Sequence, residues 1–192
     1  MRDIFFLLTL NYGKLHANLT HKESLMRFTS LIVFTAILSG CTATYKQEAL
    51  IQPSINLVRG KSVAIATPTN GFYETEEYHS SGKMTSLAVK SAFAGFSSTI
   101  TVMAECKNLM CLKDSNHYYY VIPEILHWEE RATEWSGKPD KIEVKISVYD
   151  NLNLKELAST IISGTSKWAT FGGDHPQDLL DEPINRYVQS LY

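Results

Sequence analysis

The chain has 192 residues, 44% hydrophobic and 20% charged, with 18 Lys+Arg against 20 Asp+Glu. No basic run or basic-aromatic stripe occurs, which argues against nucleic acid as a partner. Beyond a short N-terminal address the length suits one domain with a proper core and excludes two ordinary ones.

Residues 1–25 place an apolar run, Ile4 to Leu10, and a polar stretch, Asn11 to Ser24, ahead of a complete signal. They are read as a mis-assigned or dispensable extension, with translation expected at Met26. Residues 26–40 then form a signal peptide: Arg27 supplies the positive region, Phe28 to Leu38 the apolar region, and Leu38-Ser39-Gly40-Cys41 has the form of a lipobox. Such peptides are cut before the Cys. The residue types fit the chemistry. A branched apolar side chain fills a protease subsite, two small residues let the backbone lie extended, and the Cys41 thiol accepts a diacylglycerol thioether. A transmembrane helix is the competing reading, but 14 residues at 1.5 Å each give about 21 Å against the roughly 30 Å of a bilayer core. Acyl chains contribute about 0.8 kcal/mol per buried CH₂, so two or three of them hold a protein on a membrane.

Residues 41–59 are polar with scattered aliphatics and read as a tether; residues 60–192 read as a single globular periplasmic domain. From Cys41 onward 14 Lys and Arg stand against 18 Asp and Glu, a net charge of −4. That acidity disfavours lying flat on anionic lipid, and leaves the acyl anchor as the membrane contact.

Lys61 to Thr67 is a short Val/Ile-rich run that predicts a buried strand, followed by a loop over Pro68 to Gly82. Lys83 to Phe96 predicts a helix apolar around most of its circumference, as expected of one packed on a sheet. Thr99 to Met103 predicts a second strand, and Glu105 to Lys113 is weakly helical. Tyr118 to Trp128 predicts a third strand, with Pro123 marking an edge or a bulge. Lys141 to Asp150 alternates cleanly, Ile142, Val144, Ile146 and Val148 on one face and Glu143, Lys145, Ser147 and Tyr149 on the other, so one face is core and the other meets water or a partner. Glu156 to Trp168 predicts a further strand. Asp174-His175-Pro176-Gln177 looks like a helix start with Asp174 as N-cap, and Pro183 divides the C-terminal segment into a turn and a terminal helix. The order β-α-β-(α)-β-β-β-α predicts an α/β (α+β) layer sandwich, its mixed sheet ending in an antiparallel meander.

Cys106 and Cys111 are left in an oxidising compartment once Cys41 is acylated. They are either bridged or two buried thiols. Residues five apart on a continuous helix lie beyond the roughly 7 Å disulfide limit, so helix and bridge exclude each other.

The densest polar cluster is His127-Trp128-Glu129-Glu130-Arg131 with Glu134-Trp135. By period two His127, Glu129 and Arg131 share one strand face, and Glu130 joins Trp128 on the other. Three readings stand: an interaction surface formed by His127, Trp128, Glu129, Arg131 and Trp135; a catalytic or metal-assisted set of Glu129, Glu130, Asp174 and His175; or a solvated arm with cross-strand ion pairs to Lys138, Lys141 and Lys145. No closely spaced His pair points to zinc. Ser80-Ser81-Gly82-Lys83 fails the spacing of a phosphate-binding loop, and Glu74, Glu76 and Glu77 would repel a phosphate there, so no nucleotide is expected. No cofactor is expected.

The run Pro123 to Gly137, PEILHWEERATEWSG, with Val144-Lys145-Ile146-Ser147-Val148-Tyr149-Asp150 and Ser166 to Leu180, SKWATFGGDHPQDLL, resembles domain-of-unknown-function family 4823, small lipoproteins of Gram-negative cells. The likeness covers nearly all of Cys41 to Tyr192 and departs at Glu105 to Asn116, short for a second helix. The resemblance implies no assigned activity. In outline the strand-helix order also resembles periplasmic domains of the curli secretion lipoprotein and of lipoprotein activators of penicillin-binding proteins, which dock onto other proteins. By resemblance to sorted lipoproteins, Thr42 after the acylated Cys41 implies the outer membrane, facing the periplasm. The expectation is an accessory module with a protein partner in the envelope; the alternative is a periplasmic hydrolase.

Overall fold

The alternation of Ile142, Val144, Ile146 and Val148 places four side chains, each at most 2% exposed, on one face of a central strand. The computed structural model of the protein describes residues 43–131, 138–167 and 175–192. The lipobox Leu38-Ser39-Gly40-Cys41, Trp135 and Asp174 lie outside the described residues. In chain order the elements are β1 (Thr44–Ile51), β2 (Val63–Ala66), β3 (Gly71–Tyr73), β4 (Glu76–Tyr78), α1 (Ser81–Phe93), β5 (Ile100–Met103), α2 (Leu109–Leu112), β6 (Tyr119–Glu129), β7 (Lys141–Asp150), β8 (Glu156–Thr165) and α3 (Asp181–Ser190).

Six strands form one mixed sheet in the order β1-β8-β7-β6-β2-β5, and β3 pairs with β4 apart from it. β6, β7, β8 and β1 are successively antiparallel. β2 lies parallel to both β6 and β5. This is the mixed α/β sandwich expected, with the meander lengthened by β1.

The two faces are covered unequally. Val89, Ala92 and Phe93 of α1 and Ile184, Tyr187 and Val188 of α3 close over Val63, Ile65, Val121, Ile146 and Val148, removing apolar area worth about 25 cal/mol per Å² from water. On the opposite face Cys106 and Leu112 cover Ala64, Ala66, Tyr120 and Ile122. That second layer is thin because α2 spans one turn, as the short Glu105 to Asn116 segment implied. Cys106 and Cys111 are bridged, with α-carbons 5.4 Å apart. The helix starts at Leu109, past Cys106, and the Asn108 side chain accepts from the Cys111 N–H at 3.1 Å. No continuous helix joins the two cysteines, so the bridge is sterically allowed.

Four expectations are corrected. Residues 41–59, read as a tether, contain β1, which pairs from Thr44↔Thr165 to Ile51↔Ser159 along β8. The rest of that segment is strapped down: Leu57 N–H donates to the Leu191 carbonyl at 2.7 Å, and Val58 N–H donates to the Tyr119 hydroxyl at 3.0 Å. The loop Pro68 to Gly82 contains the β3–β4 pair. The bulge falls at Leu126, between Ile125 and His127 and three residues beyond Pro123; Pro123 itself is tolerated because β2 pairs with β6 only as far as Val121. The cap of the C-terminal helical segment lies one residue later than expected, with the His175 N–H donating to Asp178 Oδ2 at 3.0 Å.

Candidate functional site

The carboxylate of Glu129 gathers the polar cluster around it. The bulge before His127 switches the strand's parity, so that Trp128 joins Val121 and Ile125 on the core face and His127, Glu129 and Arg131 share the other, as expected. Glu129 is 2% exposed and forms an ion pair with Arg131. His127 Nε2 lies 3.3 Å from Glu129 Oε2, and Lys141 Nζ, from the facing position on β7, lies 3.9 Å from it. Tyr73, from β3, borders the same carboxylate with its hydroxyl. Tyr73 also meets the His127 ring edge-on at 5.5 Å and takes the Arg131 guanidinium over its face at 5.4 Å.

Burial pushes the Glu129 carboxyl upward, but hydrogen bonds from His127 and Tyr73 and the charges of Arg131 and Lys141 outweigh it, leaving the group below the usual carboxylate range. Its hydrogen bond to Glu129 raises the Tyr73 phenol. Glu129 is therefore ionised and surrounded by donors, the reverse of a carboxyl held protonated to act as an acid. The cluster joins β3, β6 and β7 electrostatically.

Beside it a second set of bonds closes the sheet end. Arg131 N–H donates to Asp140 Oδ1 at 2.6 Å, Asp140 N–H donates to Ser166 Oγ at 2.8 Å, and Ser166 N–H returns to the Asp140 carbonyl at 3.0 Å. Asp140 and Ser166 are buried, at 7% and 8%. Sequence reasoning gave Asp140 and Ser166 no role, and Tyr73 fell in the expected loop over Pro68 to Gly82. Nothing in residue type or spacing marks these three.

Of the expected interaction surface, Trp128 and Glu129 are corrected. Trp128 is 2% exposed and packs in the main core over Ile142, so neither can present itself to a partner. His127 and Arg131 are partly exposed, with 36% and 27% of their side-chain area accessible. Of the expected catalytic set, His175 and Glu130 meet, Nδ1 to Oε1 at 2.9 Å. Glu129 is engaged by a different set of partners, and Asp174 lies outside the described residues. Among the described residues no group of three or more His, Cys, Asp and Glu side chains is placed to hold a metal. Of the solvated-arm reading, the cross-strand pair of Lys141 with Glu129 is present but Glu129 is buried, and Lys145 pairs instead with Glu124, Nζ to Oε1 at 3.0 Å.

A family described as a domain of unknown function, DUF4823, matches residues 55–191. The chain belongs to this family. It is the family that the runs from Pro123 and Ser166 resemble. No curated protein matches the DUF4823 chain. Among solved structures, the PelC dodecamer from Paraburkholderia phytofirmans is similar at 17% identity and a TM-score of 0.59, over 78% of this chain and 96% of the PelC chain. A point variant of that PelC gives 15% identity and 0.58, over 77% and 98%. A DUF330 protein from Xanthomonas campestris gives 12% and 0.46, over 72% and 92%. At these identities the DUF4823 chain shares a fold with PelC, and the likeness carries nothing further.

Proposed function

We propose that the protein is an envelope lipoprotein that acts through contacts with other protein chains. Translation starts at Met26, residues 26–40 are removed at Leu38-Ser39-Gly40, and Cys41 is acylated and held on the outer membrane with the domain facing the periplasm. The observation that carries the interaction reading is β1. It is the edge of the six-stranded sheet, and seven of its eight residues are exposed. Half of its backbone groups face away from β8, a template for strand addition by a partner. Lys46 and Glu48 keep that edge soluble, while Leu50 and Ile51, 45% and 39% exposed, offer it an apolar end. That Glu129 is held ionised among its ion-pair partners favours this reading over general-acid catalysis. That PelC, a chain of the same fold, forms a dodecamer supports assembly as a use of this scaffold.

The test is photo-crosslinking in cells from positions 46, 48 and 50, with 152 as a distant control and acylation of Cys41 verified by mass. Discrete protein adducts from the β1 positions alone support the reading. Their absence in correctly acylated protein sinks it.

A further inference from the structure

We infer that the end of the sheet carrying Thr44, Thr165, Lys141 and Glu129 faces the phospholipid headgroups, with the strands standing out from the membrane. The inference rests on the acylation of Cys41 proposed above. Cys41 and Thr44 are three residues apart, and consecutive α-carbons are at most about 3.8 Å apart, so the acylated residue lies within about 11 Å of the first residue of β1. A flexible tether over residues 41–59 would have let the domain drift far from the bilayer. The strand at Thr44 does not.

The register fixes which end that is. Thr44 pairs with Thr165, Thr165 with Lys141, and Lys141 with Glu129. These four residues cross the sheet at one level. β7 runs from this level to Asp150, ten residues at about 3.3 Å each, so the turn at Leu152 stands about 30 Å further from it. The described side chains at the near end suit headgroups and not acyl chains. Lys138 is exposed, Lys141 has half its side-chain area accessible, and the Glu129 carboxylate is already ion-paired with Arg131. The far end, by contrast, exposes Leu152 at 84%.

The experiment uses the full lipidated protein in phosphatidylethanolamine/phosphatidylglycerol vesicles. One fluorophore is attached through Lys138→Cys or Leu152→Cys, and quenchers are placed either on the headgroup or deep in the acyl chain. The expected result is several-fold stronger headgroup quenching at 138 than at 152, with little acyl-chain quenching at either. Inserting ten Gly/Ser residues between Thr42 and Ala43 adds a coil with an end-to-end distance of about 18 Å, and should erase the difference while the protein still floats with vesicles. Equal quenching at both positions without the insert, or stronger quenching at 152, overturns the inference. Failure of the parent protein to float with vesicles overturns the acylation reading instead, so the two failures are distinguishable. Acyl-chain quenching at 138 would overturn the headgroup assignment in favour of insertion.

Discussion

A β-carbon built on Gly71 would sit 2.5 Å from the β-carbon of Trp128, so β3 lies directly against β6 because residue 71 has no side chain. Trp128 is thereby closed off from solvent. Gly71→Ala should cost about 1–3 kcal/mol by overpacking, and Trp128→Ala about 3–5 kcal/mol by leaving a cavity. Leu126→Ala, at the 47% exposed bulge position, should change stability by about 0.5 kcal/mol or less. Urea denaturation of the unacylated Cys41→Ser protein measures all three. Equal effects at 126 and 128 would contradict the assignment of Trp128 to the core.

The Glu129 carboxyl titrates lower in the folded chain than its ordinary value of 4.5. A group depressed by folding stabilises fully above its unfolded value, and that contribution is lost as pH falls through the folded value. Unfolding midpoints should therefore be insensitive to this group at pH 6–7 and fall below about pH 4.5. Glu129→Gln should flatten that acid slope and cost about 1–3 kcal/mol at pH 7, where Arg131 and Lys141 lose their counter-charge. An unchanged acid slope in the variant would remove Glu129 from the account.

The Cys106–Cys111 bridge closes a short loop, worth about 2 kcal/mol on the chain-entropy description. Reduction should lower the melting temperature by that equivalent without unfolding the domain at room temperature. Reduction frees both thiols together, and because Cys106 is 3% exposed, its thiol should then be modified slowly. Thiol labelling under dithiothreitol should mark Cys111 before Cys106, and the reverse order would contradict the burial of Cys106.

Thr160 is fully buried, and its hydroxyl donates to the Glu48 carbonyl at 2.9 Å, tying β8 to the edge strand. Thr160→Val removes that bond at nearly constant shape and should cost about 1 kcal/mol. Amide exchange should quicken in β1 while β7, flanked on both sides, stays protected. Uniform loosening of both strands would show that β1 is not a separable layer of stability.

How legible each element is in the sequence depends on how much water it excludes. β7 announced itself because apolar residues alternate with polar ones along it, although Ser147 on the polar face is fully buried and Tyr149 packs under the thin second layer, where the sequence led one to expect water or a partner. The face shared by His127, Glu129 and Arg131 was readable from alternation, and survived because the bulge falls before it. β1 was not readable: TYKQEALI packs on only one edge and leaves both faces wet, so no apolar period marks it. β3 and β4 are three residues each, too short to carry a period. The burial of Glu129 was illegible for a different cause. An acid reads as solvent-exposed until its cations are located, and Lys141 and Tyr73 reach it from other elements. Trp128 was misassigned because nothing local says that Gly71 leaves room for it.

The direction of β1 restricts the symmetry of any assembly on a bilayer. The strand begins three residues after Cys41 and leads away from that end, in the same sense as β7. With Cys41 acylated as proposed above, a two-fold axis lying in the membrane plane would set two β1 strands antiparallel and carry their acyl chains to opposite ends of the pair, where one leaflet cannot receive both. On that proposal, copies sharing a leaflet are related by rotation about the membrane normal, which yields cyclic rings and excludes dihedral stacks.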